Sequence, residues 1–243
     1  MASARSAGRK LAIVGFWDGN RQLAPFQDPT YEIWSLNHLH PYIPRWDVWF
    51  DMHKPEWSAQ NMKPEVWKDQ DGWLRKEHGK PVYMLEKFAE YPSSVAYPID
   101  AVKARFKPYF TNGIAYMLAL ALFQHAENPI SRIELWGVDM RHEEEYAIQR
   151  PCTEWWLGLA TGMGIEVFIP PQAVLTTSDH LYGYEERGGI AQQAIRQHKI
   201  VIEKCLKEQE THIQMAQALD GMIQDNREWV RRWEQYARGG GIL

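Results

Sequence analysis

The sequence predicts an α/β fold, a doubly wound and mostly parallel sheet with a helical extension at the carboxyl end, on three observations. Short runs rich in β-branched and aromatic residues recur along the chain, and each stops at a turn former or a polar residue. Two apolar helical stretches separate the later runs, so the order reads strand, helix, strand, helix, strand, as parallel sheets require. A hydrophobic content of 45% over 243 residues is ample for a core.

"KLAIVGF" (10–16) is the first strand, stopped by Gly15, and "WDGNRQLAPFQDP" behind it is a loop of turn formers. "YEIWSLN" (31–37) and "DVWFDMH" (47–53) repeat the pattern and end in Asn37 and His38, then in Asp51 and His53. Residues 55–80 are polar and carry several Trp, which suits a surface excursion or lid with short helices. "PVYMLE" (81–86) and "SSVAYP" (93–98) are further short strands. "TNGIAYMLALALFQHAEN" (111–128) is the clearest helix, with Thr111 and Asn112 at cap positions and Pro129 beyond its end. "RIELWGVDM" (132–140), "CTEWWLGLATGMG" (152–164) and "IEVFIPP" (165–171) supply a strand, a helix with a Gly stop, and a strand. Residues 190–238 contain no Pro and no strand pattern. Ile195, Ile202, Leu206, Ile213, Ala216, Ile223 and Val230 recur there mostly every seven, four or three residues. That spacing predicts one long helix, or a hairpin bending near Asp220 and Gly221, suited to a coiled-coil-like dimer arm or to packing back on the body. The expected organisation is a flexible tail (1–9), a nucleotide-binding sheet domain (10–188) and a helical extension (189–243).

A net charge of −4 and a pI near 6.1 give no global attraction to nucleic acid or to an anionic membrane, so any such contact needs a local basic patch. Cys152 and Cys205 stand far apart without CxxC or Cys/His spacing, which argues against a disulfide framework or a zinc site and for a reduced, cytoplasmic protein. No run reaches the length of a membrane span, and no apolar segment follows the first ten residues as in a signal peptide. GxGxxG, GxxxxGK[ST] and GxSxG are all absent, which ranks nicotinamide-dependent oxidoreductases, P-loop enzymes and serine hydrolases low.

Binding chemistry concentrates where "LWGVDMRHEEEYAIQRP" (135–151) changes from apolar to polar. Ligands of doubly wound sheets lie beyond the carboxyl ends of the strands. Asp139, Glu145, Tyr146, Gln149 and Arg150 are therefore candidates to meet a ribose, a base edge and a phosphate, the competing reading being a solvated loop with an acidic helix start. His142 beside contiguous glutamates lacks a second histidine at helical spacing, so no metal site is expected. Thr111, Asn112 and Gly113 open a helix whose free N–H groups and positive dipole end suit an anion or carboxamide, with plain capping as the alternative.

Taken together, "KLAIVGF", "APFQDPTYEIWSLNHLH", "IPRWDVWFDMH", "YFTNGIAYMLALAL", "IELWGVDM", "EYAIQRP" and "GIEVFIPP…LYGY" resemble a family of Rossmann-like proteins encoded by tailed bacteriophages, over residues 10–185. The strand ends also resemble sialyltransferase-like and pterin-diphosphokinase-like folds. The resemblance implies a glycosyltransferase of an infected bacterial cell that uses a nucleotide sugar to modify hydroxymethylated pyrimidines in DNA. It further implies that Asn37, Thr111, Asn112, Gly113 and Asp139 hold the nucleotide, with Tyr182 and Tyr184 near its phosphates. Gly15 opens the first loop of that site, where "GFWDGN" replaces the GxGPS form of relatives. Such an enzyme needs a base for the acceptor hydroxyl, for which His53 and Asp51 are the candidates, and Arg150 is placed to neutralise the leaving group. A DxD pair is read as absent, so a metal-independent route with no tightly bound cofactor is expected. A DNA acceptor would meet Lys199, Lys204 and Lys207, or Arg227, Arg231 and Arg232 near Trp229 and Trp233. Two other readings remain: a non-catalytic protein that sequesters a nucleotide, and a pyrophosphokinase-like transferase dependent on ATP and Mg²⁺.

Overall fold

A computed structural model describes residues 8–140, 144–178, 181, 183–184 and 188–238, with side chains omitted for 144–146 and 188–193. The chain divides into two compact units, residues 1–177 and 178–243.

The first unit is built on seven strands: β1 (Arg9–Val14), β2 (Tyr31–Leu36), β3 (Val48–Asp51), β4 (Val82–Met84), β5 (Ser94–Ala96), β6 (Ile130–Trp136) and β7 (Glu166–Phe168). They pair in the order β5-β4-β3-β2-β1-β6-β7, and every neighbouring pair is parallel. The expected α/β class is thus observed. Strand pleating sends alternate side chains to opposite faces, and both faces are apolar. On one, Leu11, Ile13, Trp34, Leu36, Phe50 and Leu135 pack under helices α3 (Ile99–Arg105), α4 (Gly113–His125) and α5 (Glu144–Gly162). On the other, Ala12, Val14, Ile33, Trp49, Val82 and Met84 are covered by two 3₁₀ segments, Arg21–Leu23 and Asn37–Tyr42, and by α2 (Pro64–Leu74). α1 (Pro55–Asn61) precedes α2, and each of the two starts with Pro at its first position, where the missing N–H costs nothing.

Two elements depart from the sequence reading. α3 was not anticipated, since its seven residues carry too short a pattern to show a period. α5 begins at Glu144, eight residues earlier than expected, and runs through Pro151. The polar residues assigned to a rim loop therefore form its first turns. The second unit holds α6 (Gly188–Ala237), 50 residues long and continuous through Asp220 and Gly221, so the single helix is observed and the hairpin is not. No helix among the described residues is long and apolar enough to cross a membrane.

Candidate active site at the carboxyl ends of the strands

The chain adds β2 to β5 on one side of β1 and then returns to place β6 on the other, so the order reverses between β1 and β6. Ligands of such sheets approach at that reversal. Here the two strands stay joined beyond their ends. Gly15 N–H donates to Trp136 O at 2.8 Å, Trp17 N–H to Gly137 O at 2.8 Å, and Gly137 N–H to Asn20 Oδ1 at 2.6 Å. A Cβ on Gly15 would lie 2.6 Å from Gly137 O, and one on Gly137, whose φ is +65°, would lie 2.5 Å from Gly15 O. Gly15 thus lets two backbones touch. Arg21, from the same loop, is buried with Nη1 donating to Phe16 O at 2.5 Å and its guanidinium 5.5 Å from the Tyr42 ring.

Chemistry gathers one strand further along, past β2 and β3. Asp51 ends β3 and is 4% exposed. Its Oδ2 accepts from Gln70 Nε2 of α2 at 2.8 Å. Its Oδ1 faces His53, with the backbone N–H at 3.4 Å and ring Nδ1 at 3.5 Å. The His53 ring is 42% exposed and stacks on Trp57 of α1, centroids 4.9 Å apart and planes 14° apart. His38, following Asn37 at the end of β2, packs on Phe16 at 4.6 Å. Burial holds the His38 imidazole below its ordinary pKa; the Asp51 carboxylate works against that shift and His53 reinforces it. A buried carboxylate held from behind by an amide and facing a half-exposed imidazole is an arrangement that can orient a general base. Such contacts are commonly loose before substrate arrives. Asn37 itself has φ +52° and lends its carbonyl to Trp49 Nε1 at 2.9 Å. His53 and Asp51 were named from the sequence, and the structure places them side by side. Gln70 was not, because it reaches the site from 19 residues downstream.

The start of α4 is tied to α5. Asn112 caps α4, its Oδ1 accepting from Ala115 N–H at 2.9 Å, and its Nδ2 donates to Gln149 O and Thr153 Oγ1, each at 3.1 Å. Thr111 Oγ1 donates to Ile148 O at 3.2 Å. Gly113 fits against β2, where a Cβ would sit 2.8 Å from Leu36 Cδ1. Asp139 Oδ1 accepts from Val174 N–H at 3.1 Å, while Arg150 Nη2 donates to Val174 O at 2.8 Å. Arg150 also bonds Glu154 at 2.9 Å, whose Oε1 accepts from Thr176 N–H at 2.8 Å. Asp139 and Arg150 therefore grip the loop after β7 through the N–H and the carbonyl of one residue, Val174. Gln149 offers its carbonyl to Asn112. The side chains of Glu145 and Tyr146, and all of Tyr182, lie outside the described residues. Tyr184 belongs to the second unit and is 92% exposed.

Among the described residues no group of three or more metal-binding side chains converges. The sequence does hold one Asp-x-Asp, Asp69-Gln70-Asp71, but it lies within α2 rather than at a strand end. Asp69 faces His40 at 3.2 Å, and Asp71 accepts from Arg75 and Tyr91, each at 2.8 Å. Cys152 is buried and Cys205 exposed, both as free thiols.

No known protein family matches the chain, and no curated protein matches it either. Among solved structures, the sialyltransferase CstII from Campylobacter jejuni, in complex with the substrate analogue cytidine-5'-monophosphate, is similar at 12% identity and a TM-score of 0.44. The likeness covers 69% of this chain and 82% of that one.

Proposed function

We propose that this chain is a glycosyltransferase that takes a nucleotide sugar as donor, with His53 as general base and Asp51 as the group that orients it. The observation that carries the reading is the Gln70–Asp51–His53 chain at the end of β3, on the rim of a wholly parallel sheet. His53 accepts the proton of an acceptor hydroxyl as its oxygen forms a bond to the anomeric carbon. The bond from that carbon to the nucleotide's phosphate oxygen breaks, and the nucleotide leaves with the electron pair. The Asp51 carboxylate favours the imidazolium that results. Negative charge on the leaving group is favoured at the amino end of α4, beside Thr111, Asn112 and Gly113. Arg150 already carries Glu154 as partner, so its share in that task requires the loop after β7 to give way. A hydroxymethylated pyrimidine of phage DNA is the acceptor that the sequence resemblance supports. The exposed Lys199, Lys204 and Lys207, or Arg227, Arg231 and Arg232 beside Trp229 and Trp233, are the groups available to a phosphate backbone.

The test is a thermal-shift screen with free nucleotides and nucleotide sugars, followed by nucleotide release on DNA with and without hydroxymethylated bases. One nucleotide sugar should raise Tm, because a ligand of the native state alone stabilises it, and Asp139→Ala should lower that gain. His53→Gln should bind the donor unchanged while turnover falls about 10²- to 10⁴-fold. Binding without turnover would turn the reading toward nucleotide sequestration, and no shift with any nucleotide would end it.

A further inference from the structure

The described side chains of α6 from Ala194 onward are all exposed, although many are large and apolar. A helix takes most of its stability from packing an apolar face, and one of 50 residues, about 75 Å long, is unusual alone in water. Its apolar residues follow a seven-residue period. Ile195, Ile202, Ala216, Ile223 and Val230 fall at one position of the repeat. Gln209 interrupts that column, and His198, Cys205, His212, Leu219, Asn226 and Trp233 fall three residues further on. The first column spans six repeats and is apolar in five of them, while the second mixes apolar with polar residues. Ile223 is 49% exposed, Val230 55% and Leu219 60%, all of it surface that a facing helix would cover.

We infer that α6 forms a two-stranded, parallel, in-register coiled coil with α6 of a second copy of this chain. Ile or Val fills four of the six first positions, the choice that favours two strands, and Leu219 fills one of the second positions. Polar residues in the seam fix direction and register. Asn226 meets a like partner only when the two helices run parallel and level, where the two amides satisfy one another; any slip buries each against an apolar neighbour. The same register sets Cys205 opposite Cys205 of the second copy.

Light scattering of the full chain under reducing conditions should give about twice its 28.4 kDa. Mild oxidation with copper–phenanthroline should convert most of the protein to a disulfide-linked dimer, and Cys205→Ser should abolish that product, since Cys152 is buried. Ile223→Glu with Val230→Glu should halve the mass while tryptophan fluorescence of the sheet unit is kept, and Asn226→Ile should admit larger assemblies. A monomer at every concentration up to about 50 μM, near which a micromolar pair would be largely associated, overturns the proposal. A dimer that Cys205 fails to link overturns the parallel register, and one that survives both glutamates overturns this seam.

Discussion

Gly137 and Gly164 both have positive φ, +65° and +80°, yet they differ in what surrounds them. A Cβ on Gly137 meets Gly15 O at 2.5 Å, a backbone atom that cannot move aside, whereas one on Gly164 meets nothing within 4 Å. Gly137→Ala is therefore expected to cost about 2–4 kcal/mol, from strained backbone plus a clash, and Gly164→Ala about 1 kcal/mol, from conformation alone. Thermal melts of the two variants decide it, and equal losses would show that the contact between the two loops is unimportant. At this scale the sequence was informative where local rules operate. Asp51 and His53 stand two apart at a strand end, and strand alternation puts such a pair on one face. Gln70 had no such signal, because its partner is brought by folding and not by spacing. Gly15 was named with the first loop of the nucleotide site, and in the structure it lets β1 and β6 stay joined past their ends.

Pro151 interrupts α5 from inside, removing one N–H from the helix ladder. The carbonyls just before it, Ile148 O and Gln149 O, accept from Thr111 and Asn112 at the start of α4. The cap of one helix is thus tied to the turn of the next that precedes Pro151. Asn112→Ala removes the cap, worth about 1 kcal/mol, together with the bridge to α5. The expected outcome is a lower Tm and faster amide exchange confined to residues 147–153 and the first turn of α4; exchange spread evenly over the sheet would refute the coupling. The sequence showed α4 plainly, from its cap and its continuous apolar run. The start of α5 was hidden because contiguous glutamates and an internal proline both resemble a loop, while packing on α4 holds the helix together through them.

Three histidines, His38, His40 and His78, are held below their ordinary pKa, in each case chiefly by burial. His40 and His78 belong to an aromatic cluster on the sheet face opposite α4, where His40 stacks on Trp73 at 4.8 Å and Trp73 lies 4.1 Å from His78. A depressed histidine pKa means that the unfolded chain binds protons the native state refuses. Stability is complete above the ordinary value of 6.5 and is lost as pH falls through the depressed values. Carboxylates behave differently. Burial pushes Asp47 up, but the Ile33 N–H and Arg45 outweigh it, so its contribution is lost only below about pH 4. Melting temperature should therefore fall between pH 7 and pH 5, with His40→Phe and His78→Phe together flattening that slope. An unchanged slope would place the pH dependence elsewhere. Over the whole molecule, the sequence by itself determined the class of fold, the strands, the apolar helix α4, the long α6 and the polar ends of β2 and β3. These follow from periodicity and from turn or cap residues, which act within a few positions of the chain. The tertiary structure alone decided the strand order, the joining of β1 to β6 through Gly15 and Gly137, the gripping of the β7 loop by Asp139 and Arg150, and the placing of Gln70 behind Asp51. Each of those is a contact between residues distant in sequence, fixed by packing that no local pattern encodes.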